Sequence, residues 1–250
     1  MTLRIFPDYT ALAEAAAAQL AALVRDQPDA TLCLASGETP VGTYRAFVRH
    51  VRDQELDVSR LTFVGLDEWV GIGPDNSGSC FFLVNAEVFE PLGIRPEQIY
   101  FFNPLAENLE AECARIDQAV AERGGLDAML VGVGMNGHIA LNEPGTPWDR
   151  YAHVVELEET TKTVGQKYFA SETTLTRGIT MGLRYLREAR LPLLLISGAK
   201  KAPVAARALT GEVGEAYPAS IFQTLDHGVV LLDEPAAGEL DRLLLFPDAQ

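Results

Sequence analysis

From Gly132 to Gly145 the chain reads Gly-Val-Gly-Met-Asn-Gly-His-Ile-Ala-Leu-Asn-Glu-Pro-Gly. That window holds an imidazole (His138), two amides (Asn136, Asn142) and a carboxylate (Glu143). Its three opening glycines let backbone N–H groups approach a ligand closely. It follows an apolar run at residues 126–131 that reads as a buried parallel strand. Groups able to give and take protons, set just past a buried strand, point to acid–base chemistry. The window also matches G-x-G-x-x-G, but a dinucleotide site needs a crossover helix to start there. Pro144 and Pro147 follow too soon for one, so no nicotinamide cofactor is expected. A plain glycine-rich loop would explain the glycines but not His138 and Glu143.

Three other junctions carry similar groups. Residues 31–35 read as a buried strand, followed by Ser36-Gly37-Glu38-Thr39-Pro40 and a helix to about residue 50. A small-residue turn at a helix N-terminus suits an anion; it is equally an ordinary capped loop. Residues 61–66 form a second apolar strand ending in Asp67-Glu68. Two acids there read either as an exit into water or as a base at the mouth of a site. Residues 191–197 form a third strand, followed by Gly198-Ala199-Lys200-Lys201 and a helix to residue 209.

The elements between them must position these groups. Helices are expected over 9–25, from 80 to about 90 after a glycine-rich loop at 71–79, over 105–123 and over 158–169. Strands are expected at 99–102, 151–157, 176–180 and 228–232, the second half-exposed, before a polar, proline-containing C-terminus. Glu156, Glu158 and Glu159 read as a solvated face. Strands alternating with helices, and apolar on both faces, predict an α/β fold. We expect an open, mostly parallel sheet with helices on both faces, a Rossmann-like three-layer arrangement, forming a single domain over residues 1–250. In such sheets ligands sit beyond the carboxyl ends of the strands, where all four groups fall.

A formal charge of -15 argues against nucleic acid and requires any anionic substrate to be met by local cations. The odd, scattered Cys33, Cys80 and Cys113 form neither a zinc spacing nor a disulfide framework, and with no leader-like N-terminus a cytoplasmic protein is expected. No apolar run reaches the roughly 18 residues of a membrane span. His50, His153 and His227 have no ligand-like neighbours in sequence, and the His138-to-Glu143 spacing is not a zinc motif; no metal is called for.

The string Asn136-Gly-His-Ile-Ala-Leu-Asn-Glu-Pro-Gly resembles the signature loop of the glucosamine-6-phosphate deaminase and isomerase family. Leu61-Thr-Phe-Val-Gly-Leu-Asp67-Glu68-Trp69-Val70 resembles that family's strand-and-aspartate segment. The resemblance implies conversion of a 2-amino-2-deoxyhexose 6-phosphate to a ketose 6-phosphate plus ammonia, without a cofactor. It implies Asp67 as the base for the C2 proton and His138 as the ring-opening acid–base, with Glu143 orienting or recharging the imidazole. Asn136 stands where some relatives carry an aspartate, which puts a dyad role in doubt. It implies Ser36, Gly37, Thr39 and Lys201 as phosphate ligands. Lys167 falls where relatives commonly have an arginine, and reads equally as a phosphate ligand or a surface lysine. His153 replaces an arginine of the effector site in some hexameric relatives, which removes support for feedback activation. The oligomeric state is left open.

Two other readings share this fold. A 6-phosphogluconolactonase-type hydrolase usually carries Asp-Gly-His-Thr-Ala-Ser-Leu-Phe in the loop and Asp-Glu-Arg at the strand end; here Ile139, Asn142-Glu143-Pro144 and Trp69 depart from both. A non-catalytic sugar-phosphate sensor would bring a helix-turn-helix and a basic face. Leu-Asp-Glu-Trp-Val, Gly78-Ser79-Cys80 and Thr176-Arg-Gly-Ile-Thr-Met-Gly-Leu look more like the family's galactosamine-6-phosphate isomerases than its glucosamine-6-phosphate deaminases. Trp69 is then either a residue that senses the C4 hydroxyl or a core aromatic.

Overall fold

The computed structural model describes residues 1–240. Strand β1 (Thr2–Phe6) leads into helix α1 (Tyr9–Asp26), then β2 (Thr31–Leu34) and α2 (Val41–Asp53). In α1, Leu12, Ala16, Leu20 and Val24 recur every fourth residue and are buried, one apolar stripe facing inward. Asp8 starts that helix by accepting from the N–H of Ala11 at 2.8 Å. Next come β3 (Thr62–Gly65), β4 (Asp67–Trp69) and α3 (Cys80–Val84), which continues through a π-turn at Asn85–Phe89 into α4 (Glu90–Leu92). Gly93, at φ 64°, ends it in the left-handed conformation.

The second half runs β5 (Ile99–Tyr100), α5 (Leu109–Glu122), β6 (Ala128–Gly132), β7 (His153–Glu156), α6 (Glu159–Gly165), β8 (Arg177–Thr180), α7 (Leu183–Glu188), β9 (Leu191–Ile196), α8 (Ala202–Thr210) and β10 (Val229–Asp233). Among the described residues seven strands form one sheet in the order β1-β10-β9-β6-β2-β3-β5. Every pairing in it is parallel. No helix among the described residues is long and apolar enough to cross a membrane.

The mostly parallel α/β architecture matches the sequence expectation, with four differences. The half-exposed edge strand β1 pairs along β10 and was not anticipated. The strand expected over 61–66 stops at Gly65, and the chain crosses into a second, antiparallel sheet of order β4-β8-β7. The expected 105–123 helix begins at Leu109, because Asn108 caps it by accepting from the N–H of Ala111. The segment expected to be helical over 158–169 is α6 followed by a 3₁₀ turn, Gln166–Tyr168. Residues 241–250 of the polar C-terminal stretch lie outside the described residues.

Gly65 ends β3 where the ring of Phe101 crosses it, and a Cβ there would stand 2.6 Å from ring carbons. Gly65→Ala is therefore expected to lower unfolding free energy by about 1–3 kcal/mol through overpacking. Urea denaturation checks this; an unchanged midpoint would mean that Phe101 swings aside without cost.

Candidate active site

The strand order reverses between β2 and β6, and a cleft of about 790 Å³ opens there beyond their carboxyl ends. All four sequence-predicted junctions reach it. Ser36, Gly37, Thr39, Lys167 and Lys201 line it together with Asp67, Asn136 and His138. Glu143 is not in the wall but stands behind His138.

The loop after β2 is tied down by hydrogen bonds from two tyrosines. The Tyr44 hydroxyl donates to the carbonyl of Ala35. The Tyr9 hydroxyl donates to the carbonyl of Thr39 at 2.9 Å and accepts from the N–H of Gly42 at 2.7 Å. Ser36 Oγ donates to Cys80 Sγ at 2.9 Å. Gly37 has φ 102°, and a Cβ on it would stand 3.2 Å from the Tyr168 hydroxyl. Lys201 Nζ donates to the carbonyl of Val133 at 2.6 Å. Burial, then the charge of Lys167, draws the Lys201 ammonium down to about 8. Lys167 Nζ pairs with Glu38 Oε2 at 2.8 Å. Both partners are largely exposed, so this pair contributes little to stability and is readily exchanged for another anion.

Asp67 opens β4 opposite Thr180 of β8 and is only 7% exposed. Its Oδ1 is buried with no hydrogen-bond partner. Burial pushes its carboxyl up to about 7; the Cys80 thiol draws it down and the charge of Glu68 adds to the rise. Glu68 points the other way. Its carboxylate accepts the N–H groups of Trp69, Cys80 and Phe81, each at 2.9 Å, and so fixes the start of α3.

His138 is held by a polar relay. Its Nδ1 lies 3.3 Å from Glu143 Oε2 and 3.1 Å from Thr161 Oγ1. Asn136 Nδ2 donates to Glu143 Oε2 at 2.8 Å and to Glu158 Oε2 at 2.9 Å, while its Oδ1 accepts from the N–H of His138. Burial pushes Glu143 up, but His138, Thr161 and Asn136 outweigh it, and the carboxyl lies below its ordinary value. With Nδ1 turned to the carboxylate, Nε2 is the nitrogen left to exchange a proton. The imidazole lies against Gly134, where a Cβ would stand 2.2 Å from Nε2.

Sequence reasoning missed Tyr9, Tyr44, Thr161 and Tyr168, which have no local signature. Glu158, read as part of a solvated face, is exposed as expected and also accepts from Asn136 and donates its N–H to Glu143 Oε1 at 3.2 Å. Lys167, open between two readings, lines the cleft. Trp69 lines it too, yet packs edge-on against Phe169, so it is both cleft wall and core.

A parallel sheet with a buried carboxylate, a carboxylate-backed imidazole and two lysines in the cleft at its switch point defines a class. The chain belongs to the family of glucosamine-6-phosphate isomerases and 6-phosphogluconolactonases, whose sequence model matches residues 8–231. It is 38% identical to the glucosamine-6-phosphate deaminase of Bacillus velezensis over 231 residues, 92% of this chain and 96% of the relative. It is also 38% identical to glucosamine-6-phosphate deaminase 1 of Bacillus subtilis, over 92% of this chain and 95% of that one. A solved monomeric glucosamine-6-phosphate deaminase superposes with a TM-score of 0.92 at 37% identity, covering 96% of this chain and 100% of that chain. The 6-phosphogluconolactonase of Trypanosoma brucei, at 20% identity and a TM-score of 0.72, shares the fold.

Asp67 in the folded chain titrates near 7, and an unfolded aspartate near 3.9. Between those values the folded state binds the extra proton, so its stability falls as pH rises. Asp67→Asn removes that penalty. The variant is expected to gain on wild type by up to a few kcal/mol between pH 5 and pH 8. Urea titrations at both values measure it; the same difference at each would show that Asp67 titrates as an ordinary carboxyl.

Proposed function

We propose that this chain is an aldose–ketose isomerase with deamination. It converts a 2-amino-2-deoxyhexose 6-phosphate and water to the ketose 6-phosphate and ammonia. The observation that carries this reading is the convergence on one cleft of a desolvated carboxylate with one oxygen unpartnered, a carboxylate-backed imidazole, and a small-residue loop flanked by two lysines. The deaminase relatives support the substrate class.

In this reading the phosphate lies between the loop of Ser36, Gly37 and Thr39 and the Lys201 ammonium, with Lys167 free to exchange Glu38 for it. That end of the sugar is remote from the reacting carbons, and its binding energy helps position them. His138, through Nε2, protonates the ring oxygen and takes up the proton of the anomeric hydroxyl, which opens the pyranose to the C1 aldehyde. Glu143 compensates the imidazolium, and Asn136 and Thr161 hold that pair in register. Asp67, ionised, takes the proton from C2 and returns it to C1. The amine leaves as ammonia, and water supplies the ketone oxygen at C2. A carboxyl near 7 is a stronger base than a solvated one and is still ionised in useful amount at neutral pH. The pairing needs no metal ion, and a cytoplasmic location fits a phosphorylated sugar.

Ammonia release from amino-sugar 6-phosphates tests this directly, since neither a lactonase nor a sensor would produce any. Asp67→Asn should bind substrate within a few fold of wild type and lose on the order of 10²–10⁴ in kcat. Near-normal kcat would move the base elsewhere. For wild type, kcat/KM should rise with pH through about 7, as Asp67 ionises.

The motifs around Trp69, Cys80 and residues 176–183 lean toward the galacto epimer, which would yield tagatose 6-phosphate in place of fructose 6-phosphate. The two substrates differ only at the C4 hydroxyl. A dry site hydrogen-bonded to one orientation rejects the other by up to about 10⁴–10⁵, whereas a wet site discriminates far less. We expect turnover of both, with galactosamine-6-phosphate the better by kcat/KM on one preparation. A clear preference for glucosamine-6-phosphate would make Trp69 core packing with no part in specificity.

A further inference from the structure

The final strand of the described chain ends in a carboxylate that does not line the cleft. Asp233 closes β10 and is 2% exposed. Its oxygens are directed at the loop leaving the neighbouring strand, β9. The Ser197 hydroxyl donates to Oδ2, and the N–H of Gly198 is shared between Oδ1 and Oδ2 at 3.0 Å each. The N–H of Ala236 completes the set at 2.8 Å. Four hydrogen bonds to one buried anion are strong and directional.

The residues so held begin the cleft wall that leads to Lys201. Ser197 and Gly198 both line the cleft. Gly198 stands at φ 88°, ψ 148°, a backbone region open essentially to glycine alone, and such a conformation persists only when its surroundings over-determine it. The next three residues form a 3₁₀ turn closed by the N–H of Lys201 donating to the carbonyl of Gly198 at 2.9 Å. The orientation imposed on Gly198 is thereby passed to the backbone of Lys201 and to the start of α8.

We infer that Asp233 is a positioning residue for the substrate phosphate: by clamping Ser197 and Gly198 it sets where the Lys201 ammonium stands. The inference rests on the reading of Lys201 as a phosphate ligand given above. Asp233 acts through the backbone of the turn and touches no substrate. A purely structural carboxylate would show its loss in the denaturation midpoint, by the same amount whether or not Lys201 is present.

A double-mutant cycle on the full chain separates the two roles. KM and kcat for ammonia release from the amino-sugar 6-phosphate are measured for wild type, D233N, K201A and the double variant. D233N puts an amide N–H₂ against donors that need an acceptor. It is expected to raise KM roughly tenfold in the wild-type background and by less than about twofold in the K201A background. Unchanged KM in D233N, or the same tenfold rise in both backgrounds, would overturn the inference. Unchanged KM in K201A would remove the phosphate reading itself, a signature that failure of the inference alone does not produce. If D233N does not fold, G198A carries the same cycle. A Cβ there meets no protein atom within 4 Å, and the substitution strains the left-handed backbone conformation that Asp233 holds. A wild-type KM in G198A would then overturn the inference.

Discussion

The acid–base half of the cleft hangs on one corner of the small antiparallel sheet, Thr180 and Met181. Thr180 sits opposite Asp67 in the β4–β8 register, and its hydroxyl accepts from the N–H of Leu141 at 3.3 Å. The N–H of Met181 donates to the carbonyl of Leu66 at 2.8 Å, and its carbonyl accepts from Asn142 Nδ2 at 2.9 Å. Two segments more than seventy residues apart, one carrying Asp67 and the other His138, are thus referenced to the same two residues. Proton transfers at adjacent atoms require their donors and acceptors to be placed within a fraction of an ångström, and separate loops would not hold that. The seven-stranded sheet supplies the junctions; the small sheet supplies their register.

The same corner shows how two neighbouring acids acquire opposite jobs. Glu68 is given three backbone N–H groups and becomes an internal cap for α3. Asp67, one residue earlier, points the other way along the strand and receives no partner at Oδ1. Burying an unpartnered carboxylate costs stability, and the cost appears as a raised proton affinity. A group kept reactive in this way weakens the fold that holds it, a trade found wherever function needs a destabilised site. Glu143 is the counterexample inside the same cleft, its burial outweighed by His138, Thr161 and Asn136.

In a chain with a formal charge of -15 the cations that line the cleft are few and local. Lys201 is stripped of most of its water and held against the carbonyl of Val133, and Lys167 is kept beside the loop by Glu38. Each has a weak or neutral partner to surrender when a stronger anion arrives.

The amino-acid sequence by itself determined the strands, the junctions and the reactive groups at them. Apolar runs such as residues 31–35, 61–66 and 191–197 can only be buried, and the turn or acid that ends each run lies beside it in the chain. Asp67, His138 and Lys201 were legible for that reason. The tertiary structure alone decided what surrounds them, because those partners are far away in sequence and follow no period. Thr161 lies 23 residues from His138, and Glu38 lies 129 residues from Lys167. Glu143, which the sequence set beside His138 to orient it, stands against Nδ1; that it does not line the cleft is visible only in the fold, where Ala140, at φ 54°, lies between the two. Burial of Asp67, the crossing of β4 into a second sheet and the clamp of Asp233 on Gly198 likewise depend on which distant surfaces meet. Local patterning specifies which elements form; only their packing fixes the desolvation and hydrogen bonding that set the chemistry.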